Sequence, residues 1–191
     1  MASFEYLLLF AAVILGLAVS ELAIATHRLV NTNERVRWDG LAPLAASVVF
    51  LKIITQWWSW YAAESLPGGL RFEMFIGVIV GGVLLFLLAA MVLPEASHGN
   101  AEVNLAHHFE RVRRRFWLTF AAHWVVATAV SIWAQVALAG AHFSPFSWAY
   151  LMVPVTVGLA LVRSRWIQAL ALIGMNALYL MQFYGQQLGH V

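Results

Sequence analysis

Six long apolar stretches are joined by short connections, and the positive charge falls in every other connection. That pattern leaves few folds open to this chain. The stretches run at roughly 4–26, 41–63, 72–93, 116–139, 146–162 and 166–184. The first connection holds Arg28, Arg35 and Arg37, the third Arg111, Arg113, Arg114 and Arg115, and the fifth Arg163 and Arg165. The N-terminal tail, the fourth connection and the C-terminal tail hold no Lys or Arg, and the second connection holds only Arg71. Short loops rich in Lys and Arg stay on the cytoplasmic side of a membrane. The pattern predicts a multi-pass protein of a cell inner (plasma) membrane with six spans and both termini on the outer, periplasmic side.

Each stretch is close to the length needed, since about 20 helical residues cross a bilayer core. The runs are continuously apolar, without the period-2 alternation of lipid-facing strands, so helices are predicted over a barrel. With 62% hydrophobic and 10% charged residues, the chain lies far from the soluble average of about a quarter charged. No connection is long enough for a soluble domain. The expectation is a single all-α transmembrane domain over 1–191, a bundle of six transmembrane helices. The basic residues are accounted for by topology, so no nucleic-acid partner is expected. Met1 to Tyr6 carries no positive charge and the following apolar run is too long for a signal peptide, so the first segment is expected to be retained. The chain has no cysteine, which excludes disulfides, thiolate ligands and cysteine catalysis.

Aromatic residues gather at the ends of the spans. Trp57, Trp58, Trp60 and Tyr61 close segment two, Phe143, Phe146, Trp148 and Tyr150 open segment five, and Phe183 and Tyr184 close segment six. Trp38, Phe116, Trp117 and Trp166 lie at the inner ends. Interfacial anchoring accounts for them. Gly77, Gly81 and Gly82 give segment three a face on which another helix can approach closely, and Ala12, Gly16, Ser20 and Ala23 do the same for segment one. Pro154 removes a backbone bond inside the short segment five and is expected to kink it.

The third connection is the longest. Leu105, Phe109, Val112 and Phe116 fall at i, i+4, i+7 and i+11, one side of a helix. His107, His108, Glu110, Arg111, Arg114 and Arg115 occupy the other side. A short cytoplasmic amphipathic helix between helices 3 and 4, lying on the leaflet and running into segment four, is therefore predicted, its basic side (Arg111, Arg114, Arg115) attracting anionic lipid. Adjacent histidines diverge by about 100° on a helix, away from the i, i+4 spacing of helical metal sites. No metal is expected.

Polar residues inside the spans are the candidate site. Lys52 is at the centre of segment two, where ionisable groups are costly and mark function. Gln56 and Ser59 follow at +4 and +7, with Thr55 beside them, a stripe from the centre to the outer surface. Segment four carries Thr119, His123, Ser131 and Gln135 at four- and eight-residue steps. Segment six adds Gln168, Asn176, Tyr179 and Gln182. Glu21 of segment one lies about one turn inward of Lys52 and is its expected ion-pair partner.

Two readings of this set compete. The polar groups either join helix to helix, or they line a hydrated path for a proton, an ion or a small polar solute. A haem between two histidines does not suit a chain whose only histidine well inside a span is His123, and two haems need four. No nucleophile elbow, His-Glu-x-x-His motif or paired aspartates appear in the spans. A lysine on the second of six segments is thin support for a retinal Schiff base. The chain is thus expected to be no enzyme, to need no cofactor, and to act as a small channel or transporter centred on Lys52. Its partners would be the lipid bilayer and further copies of itself. The alternative is an accessory or scaffolding subunit of a larger membrane complex, held through its glycine faces.

Overall fold

A computed structural model of the chain describes residues 2–32, 35–62, 72–94, 103–138 and 148–185. Within them run six helices, α1 (Ala2–Val30), α2 (Leu41–Ala62), α3 (Phe72–Val92), α4 (Leu105–Leu138), α5 (Trp148–Leu161) and α6 (Arg165–Gly185), and two short strands, β1 (Val36–Arg37) and β2 (Val103–Asn104). Four helices of the described residues are long and apolar enough to cross a membrane, over Leu8–Val30, Leu41–Trp60, Phe75–Val92 and Leu105–Trp133. The chain is all-helical in architecture and compatible with a multi-pass membrane protein. α5 has 14 residues, a rise of about 21 Å, short of the ~30 Å hydrocarbon core. α6 has 21 residues but is made less apolar by Gln168, Asn176 and Gln182.

Large apolar side chains cover the outside of the bundle. Leu9, Val13 and Leu17 on α1, Val80 and Leu87 on α3, and Leu170 and Ile173 on α6 are all exposed. Such surfaces in water would be an aggregation liability. Buried positions on α6 fall at Gln168, Leu172, Met175 and Tyr179, one stripe of a 3.6-residue helix. Its polar residues at 168 and 176 thus turn toward neighbouring helices.

Helix starts are set locally. Asn104 Oδ1 accepts the backbone N–H of His107 at 3.1 Å, capping α4. Asp39 Oδ1 accepts the N–H of Leu41 at 3.1 Å, and Pro43 falls in the first turn of α2, where a missing N–H costs nothing.

The three basic connections meet at one end of the bundle. β1 and β2 pair in parallel, Val36 opposite Val103 and Arg37 opposite Asn104. Arg165, opening α6, is ion-paired with Asp39, just before α2, and lies 3.9 Å from Glu110 of α4. Helices α1, α3 and α5 therefore run toward this end, and α2, α4 and α6 run away from it. α4 packs most extensively on α3 and α5, while α1 packs chiefly on α3. α2 touches α1, α3, α4 and α6. It is the central helix.

Two expectations are corrected here. Residues 105–115 run unbroken into the fourth span as part of the 34-residue α4, but their apolar side does not face lipid. Leu105 and Phe109 are buried in the protein core, and the His108 ring donates from Nε2 to the Met91 carbonyl at 3.1 Å. The apolar side of this segment meets the protein. His107, Glu110, Arg111, Arg114 and Arg115 are exposed on the other side. Phe116 and Trp117 are no interfacial anchors either: both are fully buried, in a run of packed rings from Phe109 through Phe120 to Trp124. Trp38 and Trp166 remain exposed.

Candidate functional site

Lys52 follows from the helical register of α2. Positions 45, 48, 49, 52, 53 and 56 are buried, so Lys52 shares the inward side with Ala45, Val48 and Val49. Its side chain is 7% exposed. Nζ donates to Gln56 Oε1 at 3.0 Å, and Gln56 Nε2 donates to Ser59 Oγ at 3.2 Å. The Ser59 hydroxyl donates back to the Gln56 carbonyl at 2.8 Å. Ser59 is exposed. These three residues form a continuous hydrogen-bonded lane from the interior to the end of α2 remote from the basic connections.

The fourth helix supplies the opposite wall. Lys52 Nζ lies 4.5 Å from the centroid of the Trp124 ring, within the range of cation–π attraction. The neighbouring His123 is fully buried. Its Nδ1–H donates to the Gly81 carbonyl at 3.1 Å, which leaves Nε2 as the acceptor. That atom is buried without a hydrogen-bond partner among the described residues, as are Thr128 Oγ1 and Tyr179 OH. Buried polar atoms left unpaired cost roughly 1–3 kcal/mol each.

Toward the basic end the character changes. Val48, Val49 and Ala45 of α2 belong to one apolar core with Leu85 and Leu88 of α3 and Phe116 and Phe120 of α4. The hydrogen-bonded lane runs outward from Lys52, and the α2 residues buried inward of it, Ala45, Val48 and Val49, are apolar.

Glu21 is not the partner of Lys52. The ion pairs among the described residues are those of Arg165 with Asp39 and Glu110. α1 lies chiefly against α3, and Lys52 turns toward α4. Glu21 is half-buried elsewhere on α1.

Asn176 belongs to a different contact. Its Nδ2 donates to the carbonyls of Leu44 at 3.2 Å and Leu172 at 2.9 Å, and its Oδ1 accepts from the Ser47 hydroxyl. This clasp joins α6 to α2 nearer the basic end than Lys52. Ser131 is exposed rather than turned into the interior. Gln135 lies on α4, with its side chain outside the described residues.

The glycines are used inside the chain. A Cβ on Gly77 would overlap Val130 Cγ2 of α4, and one on Gly82 would meet Ile14 Cγ2 of α1 at 3.0 Å and Trp60 at 3.7 Å. At Gly81 the nearest atoms, of His123 and Val126, would be 3.9 Å away, an ordinary contact. Trp60 is buried with them and is no interfacial anchor.

A third polar cluster holds the end of α5. Arg113 donates to the carbonyls of Leu159 at 3.3 Å, Ala160 at 3.1 Å and Val162. Gln168 Nε2 donates to those of Leu159 and Val162, both at 2.9 Å, and its Oε1 accepts the Trp117 indole N–H at 2.5 Å. The last carbonyls of a helix lack internal partners and attract cations. Arg113 was absent from the basic side read in the sequence, and four-residue steps place it with Phe109 and Trp117 on the buried side. Its position off the charged side was the available signal.

No three His, Asp or Glu residues gather within metal-binding reach among the described residues. Comparison with protein families, curated proteins and solved structures finds no match to this chain.

Proposed function

We propose that the chain is a small inner-membrane transporter or channel for protons or a small ion or solute, with Lys52 as its central site. In this reading all six helices cross the membrane. The basic connections lie on the cytoplasmic side and both termini on the outer side, in accord with the positive-inside rule. α5 and α6 complete the bundle although α5 is short, with Arg113 and Gln168 supplying hydrogen bonds to its last carbonyls.

One observation carries the proposal. A lysine is enclosed near the middle of the central helix with no carboxylate in ion-pair reach among the described residues. It is joined to the outer end by Gln56 and Ser59. A charge at the bilayer centre costs roughly 3 kcal/mol on insertion scales, and such residues mark ion or proton pathways. In this reading the Gln56–Ser59 chain is the outward route from Lys52, and the apolar core that includes Val48, Phe116 and Phe120 is the inner barrier. Transport then requires a second state in which that layer parts.

The accessory-subunit reading draws on a separate observation. Asn176, Gln168 and Arg113 direct their hydrogen bonds to helix backbones, as in a bundle that uses polar groups for packing. The glycine faces favour it less, since Gly77 and Gly82 meet helices of the same chain.

The deciding experiment is flux of protons, and then of common anions and cations, into liposomes holding the purified protein. Wild type is expected to carry flux that Lys52→Ala abolishes while the variant still elutes as a folded species. Intact, folded wild type that carries nothing would sink the transport reading and send attention to a copurifying partner.

A further inference from the structure

A groove of about 680 Å³ runs between the second half of α1 and the first half of α2, apart from the Lys52 lane. The volume falls within the usual 300–1,000 Å³ of ligand sites. Leu22, Leu29, Leu93 and Leu105, all buried, form its floor. Along α1 it extends from Val19 to Val30, twelve residues or about 18 Å. One leaflet contributes about half of the ~30 Å hydrocarbon core. The groove is therefore as long as one leaflet is deep.

Its lining changes character along that length. The end toward the middle of the helices is walled by Val19, Ala46 and Phe50, and the end at the basic connections by His27, Asn31 and Trp38. At that mouth the Asn31 amide nitrogen lies 2.9 Å from His27 Nδ1 and 3.4 Å from its Nε2. Arg28 and Arg37, next in sequence to His27 and Trp38, are exposed. Asp39, the nearby described carboxylate, is already engaged by Arg165. An apolar trough one leaflet long, its mouth lined by His27 and Asn31 with the exposed Arg28 and Arg37 next in the chain, matches a molecule with a long hydrocarbon tail and an anionic head.

We propose that this groove binds one anionic phospholipid from the leaflet on the basic side. An acyl chain lies between α1 and α2, and the phosphate sits among His27, Arg28 and Arg37. The inference rests on the membrane orientation proposed above but not on transport, so loss of lipid and loss of flux are separate results.

The test is native mass spectrometry of the detergent-solubilised full chain, titrated with phosphatidylglycerol or with phosphatidylcholine of the same chain length. One phosphatidylglycerol is expected to be retained, in preference to phosphatidylcholine. Ala46→Trp, and independently Ala23→Trp on the other wall, fill the trough and should lose that lipid. Arg28→Gln with Arg37→Gln leaves the trough open and should lower the preference by about fivefold per arginine. Equal retention of both lipids by wild type would overturn the proposal, as would occupancy that climbs without levelling at one. A wild-type dimer that Ala46→Trp converts to monomer, with no lipid bound, would overturn it too and give the groove to a second copy.

Discussion

The ammonium of Lys52 lies 4.5 Å from the centroid of the Trp124 ring, so the one cation in the middle of α2 faces an aromatic ring where a carboxylate was expected. A ring stabilises a desolvated cation by about 2 kcal/mol, less than a buried counter-ion would, and leaves the lysine exchangeable. Trp124→Leu removes the quadrupole and keeps an apolar filling. It is expected to lower the thermal stability of the detergent-solubilised protein modestly and to reduce any Lys52-dependent flux several-fold, with Trp124→Phe intermediate. Equal flux in all three proteins would show that the ring contributes packing alone.

The lane has a direction that a cysteine-free chain makes easy to map. Every introduced thiol is the only one present. Ser59→Cys is expected to react rapidly in intact cells with a membrane-impermeant maleimide. Gln56→Cys should react more slowly and Ser47→Cys not at all, since Ser47 lies inward of Lys52 in the α2–α6 clasp. A Ser47 thiol that labels from outside as fast as the Ser59 thiol would mean that the apolar layer is no barrier.

The three glycines of α3 separate close packing from helix propensity. Replacing glycine by alanine within a helix gains about 1 kcal/mol when space allows. Gly81→Ala has that space, at 3.9 Å from His123, and is expected to be neutral or stabilising. Gly77→Ala would drive a methyl into Val130 of α4, whose branched side chain has few rotamers to retreat to. A loss of about 1–3 kcal/mol is expected, with Gly82→Ala between the two. Thermal unfolding in one detergent gives the order; a Gly81→Ala loss equal to that of Gly77→Ala would contradict the α3–α4 contact.

What the sequence disclosed was whatever one helix determines alone. The inward side of α2 is such a case, because Lys52, Gln56 and Ser59 are i, i+4 and i+7 and meet without help from any other helix. The apolar stripe through Leu105 and Phe109 is another. Partnerships between helices were not legible. A Glu21–Lys52 pair requires consecutive helices to face each other, yet α1 packs chiefly on α3. Asn176 was assigned to the lysine path by depth, and depth says nothing of direction: its amide meets Leu44 and Ser47 instead. Nor does a run of apolar residues disclose whether lipid or protein covers it, which is how Phe116 and Trp117 came to be read as interfacial.

Arg113 and Gln168 act on the same two carbonyls, and that redundancy gives the last prediction. Leu159 and Val162 each receive a donor from both side chains, while Ala160 is served by Arg113. Removing either donor leaves the shared carbonyls with a partner, so Arg113→Ala and Gln168→Leu are each expected to cost about 1–2 kcal/mol. Removing both strands the two shared carbonyls as well as that of Ala160, and the double variant should lose about 1 kcal/mol more than the sum. Gln168→Leu also deprives the Trp117 indole of its acceptor, but that loss enters the single and the double variant alike and cancels in the cycle. The coupling is read from unfolding midpoints of the four proteins in one detergent. Strict additivity would mean that the carbonyls find other donors, and that α5 is held by packing against α4 rather than by this clamp.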